Sequence, residues 1–176
     1  MKDFAILAGG CFWCTEAIFK NIKGVELVMP GYTGGQTAHP AYEEVSSGTT
    51  GHAEAIQIYY DSRIISYEKI LEIFFLTHDP TQLKSQDHDR GTQYRSAIFY
   101  HDDYQKNIAK QVKARIIAEK IFSKPIVTEI SKLDKFYEAE EYHRDYFTKN
   151  PEYPYYQAII SPKLAKMRNK FNSYLK

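Results

Sequence analysis

The chain has 176 residues, 43% of them hydrophobic and 26% charged, with a formal net charge of +1. That length suits one unit with a real core, and the near-neutral balance gives no general attraction to nucleic acid or anionic membrane. No apolar run in the sequence approaches the roughly 18 residues that cross a bilayer. The opening "MKDFAILAGGCF" looks like an export signal before a cysteine. Its apolar run Phe4–Ala8 is shorter than the roughly 7–15 residues of a signal core, and Asp3 stands where basic residues belong. A cytoplasmic protein is therefore expected. The 15 tyrosines are many for this length; they could line a polar pocket or cover a core.

No repeat, low-complexity tract or linker breaks the chain, so a single catalytic domain over 1–176 is expected. In chain order, Phe4–Ala8 predicts a short buried strand, Gly9-Gly10 a break, and Phe12–Asn21 a helix. Val25–Val28 predicts a second strand, leading into the loop "PGYTGGQTAHPAYEEVSSGTTGH". In "AEAIQIYYD", Ala53, Ala55, Gln57 and Tyr59 alternate with Glu54, Ile56, Ile58 and Tyr60, which is the period of a strand. On that period alone, Glu54 reads as a carboxylate facing solvent. Ser66 is placed to cap a helix over Tyr67–Thr77, with Ile70, Leu71, Phe74 and Phe75 on its apolar side. A second long loop, "HDPTQLKSQDHDRGTQ", precedes a strand over Tyr94–Tyr100. Asp102 with Gln105 reads as a capping box for a helix to about Ile121. A short strand "IVTEI" follows Pro125. Glu138–Thr148 reads as helical, with "EAEE" as a solvated face, and Ser161-Pro162 opens a last helix with Ser161 as its cap. The order β-α-β-β-α-β up to Tyr100 predicts an α+β fold. It is the split βαβ of a ferredoxin-like α/β sandwich, here with long functional loops and C-terminal helices.

Both cysteines and the only tryptophan lie in Gly9–Cys14, "GGCFWC". A cytosolic setting argues against a structural disulfide, and a lone CxxC without nearby histidines is half a zinc site. Redox chemistry is the favoured use, with a pair of buried structural thiols as the alternative. Cys11 falls at the first turn of a helix, where free N–H groups favour thiolate over thiol. Cys14 is one turn on, close enough for a disulfide after small adjustment. A thiol that becomes oxidised beside a second that resolves it is a redox-enzyme arrangement.

Here a resemblance becomes specific. "GGCFWCTEAIF", "GYTGG", "HPAYEEVSSGTTGHAEAIQIYYD", "HDPTQ", "RGTQYRSAIF", "YHRDYF…NP" and "PKLAKM" occur in the order found in A-type peptide methionine sulfoxide reductases. Together they span most of the chain from Phe4 to about Met167. The resemblance implies reduction of methionine S-sulfoxide, free or in oxidised proteins, by a monomer with no metal or organic cofactor. Cys11 matches the nucleophile, which ends as a sulfenic acid, and Glu54 the acid that protonates the departing oxygen. Tyr42 and Tyr94 match two hydroxyls that hydrogen-bond that oxygen, and Asp89 a loop aspartate that orders the substrate end or a water. Phe12 and Trp13 match the apolar wall that receives the ε-methyl group. His52, His78, His88 and His143 lie in or near the matching segments and read as structural hydrogen-bonding residues.

Two departures stand out. Arg90 replaces the family's common histidine and adds a charge beside Asp89. Many members carry resolving cysteines after the "NP" segment, whereas this chain has "NPEYPYYQAII" there. Cys14, where the commoner signature has Gly, becomes the candidate resolving thiol, in a disulfide reduced by thioredoxin or a similar dithiol. Two other readings remain: a general CxxC thiol–disulfide oxidoreductase, and a thiol-bearing module that binds oxidised protein surfaces without turnover. Release of methionine from the S-epimer in the presence of dithiothreitol discriminates among the three.

Overall fold

The computed structural model describes residues 1–176, the side chain of Tyr156 excepted. Three long strands form its centre: β1 (Lys2–Gly9), β2 (Val25–Thr33) and β3 (Ala53–Asp61). Helix α1 (Phe12–Phe19) joins the first two, and the short α2 (Tyr42–Ser46) interrupts the loop that follows β2. After α3 (Tyr67–Thr77) comes a tiny hairpin, β4 (Ser85–Gln86) with β5 (Asp89–Arg90), and then β6 (Ser96–Tyr100). Helix α4 (Asp103–Ala118) leads to β7 (Glu129–Lys132) and β8 (Phe136–Glu138). Two helices, α5 (Tyr146–Lys149) and α6 (Ser161–Phe171), finish the chain.

The main sheet runs β7-β6-β1-β3-β2-β8. Its inner four strands are antiparallel neighbours in the order that the split βαβ requires. β7 extends one edge in parallel with β6, and β8 the other edge antiparallel to β2. The expected ferredoxin-like sandwich is thus the fold, with one strand added at each side.

β1 and β2 are longer than the sequence predicted, because the sheet is covered on both faces, whereas β3 has the predicted bounds and β6 starts two residues late, at Ser96. Ala5, Leu7, Ile56, Ile58 and Ile98 pack with the helices into the main core. Ile6, Ala8, Ala53, Ala55, Ala97 and Phe99 form a second cluster on the other face, closed by Leu133 and Phe136. A strand buried on both faces shows weak alternation, so its ends are hard to read. In α3, Ser66 caps as expected by accepting the Lys69 N–H at 3.1 Å. Ile70, Leu71, Phe74 and Phe75 are all buried, each contributing about 1.5–3 kcal/mol of transfer free energy. Asp102 caps α4 through the Gln105 N–H at 2.8 Å, while the Gln105 side chain accepts from His101 rather than from Asp102.

Two expectations at the C-terminal end fail. Glu138–Thr148 is not one helix: Glu138 ends β8, Glu141–His143 is a 3₁₀ turn, and Asp145 is left-handed with φ 51°. Nor is "EAEE" a solvated helix face. Glu140 accepts from the Tyr32 hydroxyl at 3.0 Å and the Tyr42 N–H at 3.1 Å, which ties this segment to β2 and α2. Ser161 does not cap α6, because a π-helical turn over Tyr156–Ile160 runs directly into the helix and supplies its first residues with a helical lead-in. Pro162 does lie in the first turn. No helix among the described residues is long and apolar enough to cross a membrane.

Candidate active site

The site is built where β1 turns into α1. Gly10 has φ +93°, and a Cβ there would lie 2.6 Å from Cγ of Gln86, so glycine is required both by conformation and by space. Gln86 is itself fixed: its amide oxygen accepts the Asp79 N–H at 3.0 Å, and its amide nitrogen donates to the Asp79 carbonyl at 2.9 Å. Because Gln86 pairs with Asp89 across the β4–β5 hairpin, this contact presses the Asp89 hairpin against the Cys11 turn. Cys11 is the N-cap residue of α1 and is buried, as is Cys14 one turn further on; both are free thiols.

Glu54 reaches the same turn from β3. Its side chain shares a face with Ile56, Ile58 and Tyr60 and is 1% exposed, so the solvent-facing carboxylate expected from alternation is overturned. Its Oε1 accepts the Phe12 N–H at 3.1 Å, satisfying one of the unpaired amides at the start of α1. Burial pushes the Glu54 pKa up to about 8; the Phe12 hydrogen bond opposes this, and the negative charge of Asp89 adds to it. Glu54 is therefore mostly protonated at neutral pH.

Tyr42 opens α2, and Tyr94 ends a 3₁₀ turn over Thr92–Tyr94, just before β6 rather than within it. Burial raises both phenol pKa values, that of Tyr42 to about 12, and the charge of Glu54 is the next contribution for each. Cys11 also bears on both, and Asp89 on Tyr94. The two hydroxyls thus share the field of Cys11 and Glu54 and remain protonated donors.

The expected thiolate at Cys11 is not the resting form. Burial pushes its pKa well up, and the hydrogen-bonded Cys14 side chain and the charges of Glu54 and Asp89 push the same way. An eight-residue helix offers too little positive potential to offset the burial of this thiol beside Cys14 and the acidic side chains. Cys14 donates its thiol hydrogen to the Tyr155 hydroxyl oxygen at 3.8 Å, and Tyr155 donates to Asp89 Oδ2 at 2.5 Å. Burial raises the Asp89 pKa, and the Tyr155 hydrogen bond opposes that rise.

Phe12 and Trp13 divide their work. Phe12 is fully buried, with ring centroids 5.7 Å from Tyr32 and 4.9 Å from His143. Trp13 is half-buried and lies flat on Tyr146, with centroids 3.8 Å apart and planes 6° from parallel. The Trp13 indole N–H donates to His143 Nδ1 at 3.0 Å. That assigns the ring proton to Nε2, which is buried without a partner among the described residues. His52 and His78 are structural as expected, hydrogen-bonding Thr37 and Ser96 through Nε2. His88 and Arg90 are exposed, so the Arg90 charge sits in solvent.

The structure thus gathers Cys11, Cys14, Glu54, Tyr42, Tyr94 and Asp89 with Phe12 and Trp13. The sequence reading missed Tyr155, Tyr146, Gln86 and Glu140. The excess of tyrosine was the one available signal for the first two.

A family model described as peptide methionine sulfoxide reductase matches residues 3–175. The peptide methionine sulfoxide reductase MsrA of Chromobacterium violaceum is 51% identical over 171 residues, covering 97% of each chain. The reduced-form crystal structure of Mxr1 from Saccharomyces cerevisiae superposes with a TM-score of 0.81 at 33% identity, covering 86% of this chain and 87% of that one. Mxr1 in complex with Trx2 aligns with a TM-score of 0.59 at 24% identity, covering 82% and 84%. The chain belongs to the peptide methionine sulfoxide reductase family.

Proposed function

We propose that this chain reduces methionine S-sulfoxide, free or within oxidised proteins, to methionine by thiol chemistry at Cys11. The observation that carries this reading is Glu54: a buried carboxyl, held protonated at neutral pH, bound to the amide beside the thiol. A sulfoxide oxygen leaves poorly unless it is protonated as it departs, and such a carboxyl is a general acid for that step. Tyr42 and Tyr94 donate hydrogen bonds to the same oxygen without ionising. The Cys11 sulfur bonds to the sulfoxide sulfur as its thiol proton leaves to replace the one that Glu54 has given. The oxygen then passes to Cys11 as a sulfenic acid; the substrate sulfur gains two electrons and the Cys11 sulfur loses them. Trp13, lying on Tyr146, offers the aromatic surface for the methyl group, with Phe12 supporting it from the core. Fixing methyl and oxygen on opposite sides selects one epimer.

Cys14 then attacks the Cys11 sulfur, water departs, and an external dithiol reduces the disulfide. The complex of the related Mxr1 with Trx2 supports thioredoxin in that role. The test is incubation with dithiothreitol and one sulfoxide epimer at a time. Methionine is expected from the S-epimer and not from the R-epimer, and no methionine from the S-epimer overturns the reading.

A further inference from the structure

Cys14 is a buried thiol, 2% exposed, and before it can attack a sulfenic acid its proton must go somewhere. Bulk water does not reach it freely. One hydroxyl is in place: Tyr155, which follows the "NPEYP" segment and stacks its ring parallel to Phe147 at 6.4 Å. Its proton is committed to Asp89 Oδ2 at 2.5 Å, so its oxygen presents lone pairs to Cys14 Sγ at 3.8 Å. The direction of this chain is set by the two hydrogen bonds together: Cys14 donates to Tyr155, and Tyr155 donates to a carboxylate. The Asp89 carboxylate sits on a hairpin pinned by Gln86, so the acceptor end is held against the Cys11 turn.

We propose that Tyr155 and Asp89 form the proton path for the resolving step, Tyr155 taking the Cys14 thiol proton while handing its own to Asp89. This rests on the reading of Cys14 as the resolving thiol. In that step the Cys14 sulfur bonds to the Cys11 sulfur as the sulfur–oxygen bond of the sulfenic acid breaks. Glu54 protonates the departing oxygen, which leaves as water, and Asp89 ends protonated; solvent exchange returns one proton from Asp89 to Glu54. The Cys14 sulfur is oxidised and the sulfenic sulfur reduced, so no outside reagent is needed. The assignment also separates two carboxyls: Glu54 serves the oxygen and Asp89 serves the second sulfur.

The test uses reduced full-length protein, methionine S-sulfoxide and no reductant, quenched in acid at intervals and assayed for methionine and for remaining free thiols. Wild-type protein should lose two thiols as it releases one methionine. In Tyr155→Phe the second thiol should disappear about a hundredfold more slowly relative to methionine release, the range lost with a general base. Dimedone should trap the Cys11 sulfenic acid in the interval. The lag should also shorten as pH rises, because solvent hydroxide then takes over the proton transfer that Tyr155 performed; a merely structural effect would not create that dependence. Asp89→Asn keeps an acceptor for Tyr155 but takes no proton, and should show the same pH-dependent lag even if Tyr155→Phe folds poorly. Loss of both thiols in step with methionine in either folded variant overturns the proton path. Failure of the underlying reading shows earlier and differently: wild-type protein releases no methionine, or keeps its second thiol, and the proton path falls with it.

Discussion

The Phe12 backbone N–H donates to Glu54 Oε1 at 3.1 Å, so the residue after Cys11 is held by the carboxyl that we propose as the proton donor. One hydrogen bond fixes the spacing between the end of α1 and the middle of the sheet. Glu54→Gln keeps an oxygen acceptor for this amide and removes the acid. We expect the variant to fold with a similar unfolding midpoint and to lose about 10²–10⁴ in kcat/KM for the S-sulfoxide. An activity within threefold of wild type would remove Glu54 from the acid role.

The same carboxyl predicts a pH signature. Its folded pKa of about 8 lies above the ordinary value of 4.5, so the folded state binds more protons than the unfolded state between those limits. Stability from this group is therefore full below about pH 4.5 and falls as pH rises through 8. Glu16, lifted by burial to about 7, runs in the same direction. Denaturant midpoints taken from pH 6.5 to 8.5 should decline more steeply in wild-type protein than in Glu54→Gln. Activity should show its alkaline limb over the same range, falling above about pH 8 as the acid deprotonates. Parallel stability curves for the two proteins would contradict the buried, protonated carboxyl.

Glu54 also shows how far the sequence could be read. The alternation that placed it opposite Ala53 and Ala55 was correct, and its neighbours on the same face of the strand, Ile56, Ile58 and Tyr60, are core residues. The error lay in assigning solvent to that face, because a carboxylate is expected there; both faces are in fact covered. The four central strands were legible because their order and periodicity are local properties. Glu138–Thr148 was not, for a different reason. Ala139, His143 and Phe147 are buried at helical spacing, yet the backbone between them follows the capture of Glu140 by Tyr32 and Tyr42. The Tyr155–Asp89 link joins residues 66 positions apart, and no local pattern announces such a pairing.

Trp13 is joined to His143 by a hydrogen bond and to Tyr146 by a stack, so its two roles can be separated. Trp13→Phe keeps an aromatic face for Tyr146 and leaves the fully buried His143 without its donor. We expect a stability loss of about 1–3 kcal/mol in urea unfolding, the cost of an unpaired buried acceptor. Trp13→Ala removes the face as well, and should raise KM for the sulfoxide far more than Trp13→Phe does. Equal KM values in the two variants would show that the ring is not a substrate wall.

The last prediction concerns the turn that carries Cys11. Gly10→Ala must hold an L side chain at φ +93° and place a Cβ 2.6 Å from Gln86 Cγ and 2.7 Å from its Cβ. Gln86 has little room to yield, since its amide is bound at both ends to the Asp79 backbone. Two responses are open to the protein, and both reach the site. If the turn moves, Cys11 shifts relative to Glu54; if the hairpin moves, Asp89 shifts relative to Tyr155. The backbone strain alone is worth about 1–3 kcal/mol, so urea midpoints should fall by at least that much. Activity should fall beyond what the loss of folded protein explains, measured at a temperature where the variant is still fully folded. A variant of wild-type stability and turnover would mean that this glycine is not what presses the two halves of the site together.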